Sequence, residues 1–169
     1  MDAPTAAFRQ RWTVADERQR LLQVIQPALI GLIDGTISTL APIFAVAYIA
    51  GSRAALLVGL AAALGAAISM GMSEGLSDDG EITGRGAGLT RGMITGLATF
   101  VGGTAHALPF LISDIGTALT VAYVVVSIEL IVIALVRRRF LGVALRTSLI
   151  QVTLGGVIVA AVGVVVGHA

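Results

Sequence analysis

The chain has no cysteine and no lysine, and it is poor in aromatic and charged residues. Without cysteine there is no disulfide, Fe–S cluster or thiolate metal site. All eleven basic residues are arginine, so Schiff-base and P-loop chemistry are excluded as well. Charged residues make up 12% of the 169, where soluble domains carry roughly a quarter. Hydrophobic residues reach 56%, and mean hydropathy is +0.94. Together these values indicate an all-α integral membrane protein whose first partner is the lipid bilayer. The net charge of +1 says little; where the arginines fall says more.

Five long apolar runs are present, near 27–50, 54–76, 89–112, 115–136 and 144–167. Each reaches the length of about 20 residues that a hydrocarbon core requires. The connections between the first and second runs, and between the third and fourth, are only a few residues long. Those pairs are expected to form antiparallel hairpins. Arg9, Arg11, Arg18 and Arg20 precede the first run, Arg85 and Arg91 follow the second, and Arg137, Arg138, Arg139 and Arg146 follow the fourth. Only Arg53 falls on the opposite side, so the positive-inside rule predicts a cytoplasmic N-terminus and an external C-terminus.

Residues 1–26 set Phe8, Trp12, Leu21, Leu22 and Ile25 among four arginines. This suits an amphipathic helix lying on the membrane surface, with Trp12 at headgroup level. A frayed basic tail is the plainer reading. The five-helix membrane domain is then 27–169, and no signal peptide is expected.

Asp34, in GLIDGTISTLAPIFAVA, lies inside the first apolar run. An acid within the hydrocarbon layer costs a few kcal/mol and is functional by default. Gly31 and Gly35 give it small-xxx-small flanks, which let helix backbones approach closely. Pro42 has no N–H for the carbonyl of Ser38, and Ser38 lies one turn beyond Asp34. One helical face thus offers a carboxylate, a hydroxyl and a freed carbonyl, the outline of a cation site.

Helix rise, about 1.5 Å per residue, puts Asp34, Met70 and Glu129 roughly 10–12 Å from the cytoplasmic ends of their spans. Thr95 and Gln151 fall near the same level, where a structural hydrogen-bonding role suits them better. Met70 and Glu74 share a face, with Ser73 and Ser77 beside them. A thioether among carboxylates suits a borderline transition metal better than Mg or Ca. By itself, however, a methionine in an apolar helix is packing. The loop SEGLSDDGEITGRGAG gathers Glu74, Asp78, Asp79 and Glu81. It is either an acidic mouth that draws cations or a solvated Asp-Asp-Gly turn. His106 falls about 25 Å along the third span, near its outer end. It either releases protons or metal there or ties two helices together.

No enzyme is expected. Gly71-Met72-Ser73-Glu74-Gly75 fits G-x-S-x-G, but that motif needs a strand-to-helix turn and this segment is helical. A Ser73–His106 protease pair would join residues at opposite ends of their spans, far beyond the roughly 3 Å required.

GLIDGTISTLAPIFAVA and AISMGMSEGLS resemble the first two spans of the vacuolar iron transporter family. SEGLSDDGEITGRG, RGMITGLATFVGGTAHALPFLI, VSIELIVIALVRRR and QVTLGG are similar to the membrane domain of bacterial membrane-bound-ferritin iron exporters. The resemblance covers the chain from about residue 21 onward. It implies a five-span homodimer in the bacterial inner membrane that exchanges Fe(II) or Mn(II) for protons along the two-fold axis. The metal is then a transported substrate, and no permanently bound cofactor is implied. Carried across, Asp34 and Met70 match intramembrane ligands, Glu74 matches the acid at the inner mouth, and Glu129 lies in a similar context. The resemblance departs in two places: the long cytoplasmic metal-collecting insert is reduced to a short loop, and no ferritin-like domain is expected within these residues. A separate ferritin-like protein is therefore a possible partner, and a scaffold anchoring it is the competing reading. No nucleic-acid partner is expected.

Overall fold

The computed structural model describes residues 16–169, and every regular element among them is helical. Phe8, Arg9, Arg11 and Trp12, on which the amphipathic reading mainly rests, lie outside the described residues. Three helical stretches are long and apolar enough to cross a membrane: Asp16–Ser77, Ile115–Leu141 and Leu145–Gly167.

The first stretch, 62 residues long, is not one rod. After a π-helical turn at Leu21–Ile25, helix α1 (Gln26–Ser38) stops and α2 (Leu40–Ser77) begins, with Thr39 between them. Pro42 is the cause, since it leaves the Ser38 carbonyl without its i+4 donor and its ring crowds the preceding turn. A second break falls at Gly51, with φ 77° and ψ −174°, a region essentially reserved for glycine. Gly51 divides α2 into limbs of residues 40–50 and 52–77, the hairpin expected there.

Helix α3 (Gly88–Ala105) ends earlier than the run to 112 predicts. Pro109 cannot donate to the Ala105 carbonyl. The chain turns at His106 and continues as a 3₁₀ turn, Leu108–Leu111. Helix α4 (Ile115–Leu141) opens on Asp114, whose carboxylate accepts the Thr117 N–H at 2.7 Å. It runs past the expected end at 136 and closes on left-handed Gly142. Arg138 and Arg139 thus lie in its last turn, where cations complement the helix dipole. Helix α5 (Leu145–Gly167) completes the bundle.

Glycine sets the register. A methyl on Gly31 or Gly35 of α1 would strike the carbonyl of Thr95 or Thr99 on α3, so α1 and α3 run parallel. Gly71 faces Gly92, Gly75 faces Gly88, and Gly103 meets Ala63, so the second limb of α2 runs antiparallel to α3. The small-xxx-small pairs therefore serve close packing, as their spacing suggests. Gly163 and Gly167 on α5 abut Ala41 and Ala45 in parallel. Gly156 packs on Leu130 while Gln151 meets Arg137, making α4 and α5 antiparallel. α1 and the first limb of α2 share one direction, which then alternates through the second limb, α3, α4 and α5, with α3 held between α1 and the second limb. An apolar core of Leu40, Ile43, Phe44, Phe110, Ala118 and Ala122 fills the half beyond the Thr39 break, and Leu29, Ile133 and Val152 continue the same cluster on the near side.

Candidate functional site

The two proline breaks meet. Thr39 and His106 are both buried, and the Thr39 hydroxyl lies 2.8 Å from His106 Nε2. That hydroxyl donates its one hydrogen to the Gly35 carbonyl at 2.8 Å, so at His106 it can only accept, and Nε2 carries a hydrogen. Nδ1, on the other side of the ring, is 2.9 Å from Glu129 Oε2. A single proton occupies that contact, as imidazolium with carboxylate or as imidazole with carboxylic acid. Either way the pair is net neutral, which is what a low-dielectric interior favours. Glu129 Oε1 is buried and has no hydrogen-bond partner.

Counting helix rise separated these two residues by more than 10 Å; the structure joins them. The arginines used as the cytoplasmic reference for Glu129 belong to α4 itself, which continues to Leu141. Glu129 is therefore deeper than the count implied, and it does not share a layer with Asp34. His106 lies about eight residues along α3 from the Asp34 level, or roughly 12 Å.

Asp34 and Met70 do share a level. Gly31 faces Thr95 while Gly71 faces Gly92 and Gly96, so Asp34 and Met70 project to positions on α3 within about one turn, ~5 Å. Both are half-buried, on two helices that flank α3. Ser38, one turn on from Asp34, is exposed.

Glu74 is committed elsewhere. Its Oε1 accepts from Arg85 Nη2 and from Arg91 Nε, each at 2.8 Å. Arg91 is fully buried and also donates to the carbonyls of Gly86 and Asp78. It straps the 78–87 loop across the mouth of the bundle. Asp78 accepts from the Thr83 hydroxyl at 2.5 Å and from the Gly80 N–H at 2.8 Å. These bonds, the Thr83 hydroxyl foremost, hold its carboxyl below the usual range, with Arg91 and Arg85 adding to the effect. Asp79 accepts from the Glu81 N–H at 3.0 Å, and both side chains are exposed. Asp-Asp-Gly thus builds a hydrogen-bonded turn.

Thr95 donates to the Pro27 carbonyl at 3.2 Å, and Gln151 accepts from Arg137 at 2.8 Å. Ser73 is exposed, and both ring nitrogens of His106 are occupied by other partners, so no Ser–His pair forms. Sequence reasoning missed Thr39, Arg85 and Arg91 as site residues. Pro42, three residues on, signals Thr39, whereas the placement of the arginines speaks to topology alone. No group of three or more His, Asp or Glu side chains converges among the described residues. No protein-family model, curated protein or solved structure matches the chain.

Proposed function

We propose that the chain is a five-span transporter that exports a divalent metal ion, Fe(II) or Mn(II), from the cytoplasm in exchange for protons. The observation that carries the reading is the common level of Asp34 and Met70 on two helices flanking α3. A carboxylate and a thioether at one depth in an apolar bundle suit a borderline transition metal. The alternating segments then read as five crossings. With that alternation, Arg18, Arg20, Arg85, Arg91, Arg137–Arg139 and Arg146 fall at one end and Arg53 at the other, which makes the first end cytoplasmic.

In this reading the acidic loop draws the ion in, and Glu74 receives it after exchanging an arginine. Asp34 and Met70 then hold it within the membrane. The His106–Glu129 pair, about two turns further on, holds the proton that moves the other way. Two donors from one chain are too few for a metal. A homodimer placing a second Asp34 and Met70 across its axis would supply four.

The test is flux by the purified protein in liposomes, reading Fe(II) or Mn(II) uptake together with internal pH. Metal entry matched by proton exit is expected, and Asp34→Asn should abolish both while the protein stays folded. Wild-type flux from Asp34→Asn would sink the proposal. Absence of flux from the wild-type protein, with capture of a ferritin-like partner, would leave the scaffold reading instead.

A further inference from the structure

We propose that the groove between α1, α4 and α5 binds one anionic phospholipid of the cytoplasmic leaflet, with its phosphate on Arg137 and an acyl chain along Ile30, Ile33 and Ile37. The proposal rests on the membrane-crossing reading above. The groove encloses about 400 Å³. Leu29 and the three isoleucines form its apolar wall, and Arg137 and Gln151 stand at one end.

The polar end is built for an anion. Gln151 accepts a hydrogen bond from Arg137 Nη2 at 2.8 Å, which steadies the guanidinium and leaves its other donors available. Among the described residues, neither Arg137 nor its neighbours Arg138, Arg139 and Arg146 has a carboxylate partner; the ion pairs there involve Arg85, Arg91 and His106. Among the described residues, four positive charges toward one end of the bundle thus pair with no carboxylate, and a lipid phosphate supplies a counter-charge.

The apolar part has the right length. From Leu29, level with Gln151 in the Gly163–Ala41 register, to Ile37, α1 rises roughly 12 Å, most of one half of a hydrocarbon core of about 30 Å. An acyl chain of one leaflet fills such a groove from headgroup to midplane. An extended peptide would find no backbone partners on a wall of isoleucine. A second copy, related by an axis along the membrane normal, would bring the same four arginines to the same end.

Ile33 adjoins Asp34 in the chain and Ile37 lies on the next turn, so a lipid seated here would pack beside the transport carboxylate. The lipid would thereby tune the metal site.

Native mass spectrometry of the full chain in detergent tests this, comparing phosphatidylglycerol with phosphatidylcholine of identical acyl chains. Selective retention of phosphatidylglycerol is expected. Arg137→Gln should weaken it roughly fivefold, the factor expected for losing one surface arginine's attraction. Ile33→Trp, which fills the groove, should abolish it, and Arg53→Gln at the other end should leave it unchanged. Glycerol phosphate, a headgroup without chains, should not compete. Unchanged binding to Arg137→Gln or Ile33→Trp would overturn the site, as would equal weakening by Arg53→Gln or competition by glycerol phosphate. Lipid selectivity with no metal flux from the wild type would refute transport alone, whereas proton-coupled flux without selectivity would refute only the lipid site.

Discussion

Thr39 and His106 stand 2.8 Å apart where two proline-interrupted helices come face to face. Pro42 opens the chain at Thr39, and Pro109 ends α3 one residue before His106. Each break leaves a polar group facing the bundle interior, and each satisfies the other. Irregular backbone at this depth is tolerated only where protein covers it, and both residues are fully buried.

The first prediction concerns this contact and its extension to Glu129. His106→Ala leaves the Glu129 carboxyl buried with no partner, and removing one member of a buried pair costs about 3–5 kcal/mol. Thr39→Val removes the acceptor for Nε2–H and the hydroxyl that bonds the Gly35 carbonyl, at about 1–3 kcal/mol. The double variant His106→Ala/Glu129→Ala should be less destabilised than the sum of its singles, because it leaves no orphaned acid. Unfolding in detergent reads all of these, and strict additivity would show that the 2.9 Å contact carries no coupling.

The second prediction contrasts two glycines. A methyl on Gly35 would overlap the Thr99 carbonyl oxygen, and backbone cannot step aside as a flexible side chain can. Gly35→Ala should therefore destabilise the bundle by about 1–3 kcal/mol as α1 and α3 are forced apart. Gly65 lies in the second limb of α2 with nothing within 4 Å of the position a Cβ would take. Gly65→Ala should be neutral or gain up to about 1 kcal/mol from helix propensity. Equal effects of the two substitutions on thermal unfolding would contradict the glycine register.

Much of this architecture is readable from residue order alone. Apolar run lengths give the helices, and the glycine spacings give the seams along which α1, α2 and α3 close. Pro42 foretells the break at Thr39. The level of the polar groups is less legible. Rise along a helix measures depth only when its ends are known, and α4 absorbs the arginines that had been placed outside it. Glu129 consequently moved from the Asp34 layer to His106. Pairings between distant segments are not written in spacing at all. Nothing in the sequence says that Arg91 strikes Glu74 rather than facing lipid headgroups, because both satisfy a lone arginine at a helix start.

A third prediction follows from Asp78. Its carboxyl titrates below the usual value, chiefly through the Thr83 hydroxyl and then the Gly80 N–H. A group depressed on folding adds stability above its unfolded pKa of about 3.9 and loses it as pH falls through the folded value. The 78–87 loop should therefore hold at neutral pH and loosen only below about pH 4. Amide exchange at Gly80 reads this directly. In Asp78→Asn that amide should exchange faster at pH 7 and show little further change on acidification, and a wild-type loop that loosens near pH 6 would contradict the assignment.

The last prediction separates the two arginines on Glu74. Arg91 is buried and completes four contacts, so Arg91→Gln should unstrap the loop and cost about 3–5 kcal/mol, the range for breaking a buried ion pair. Arg85 is 22% exposed on its side chain and binds Glu74 through one nitrogen. Its pairing is the kind solvent screens, at about 1 kcal/mol or less, so Arg85→Gln should leave the fold intact. The substitution also removes a tethered cation that competes for the Glu74 carboxylate. If Glu74 receives the incoming metal, Arg85→Gln should lower the KM for Mn(II) by up to about fivefold, the factor that 1 kcal/mol allows, with kcat little changed. Glu74→Gln should raise KM and make the Arg85 substitution silent. An Arg85→Gln variant whose KM equals that of wild type would leave Glu74 a structural partner of Arg91 alone, and the mouth of the pathway would have to be sought elsewhere.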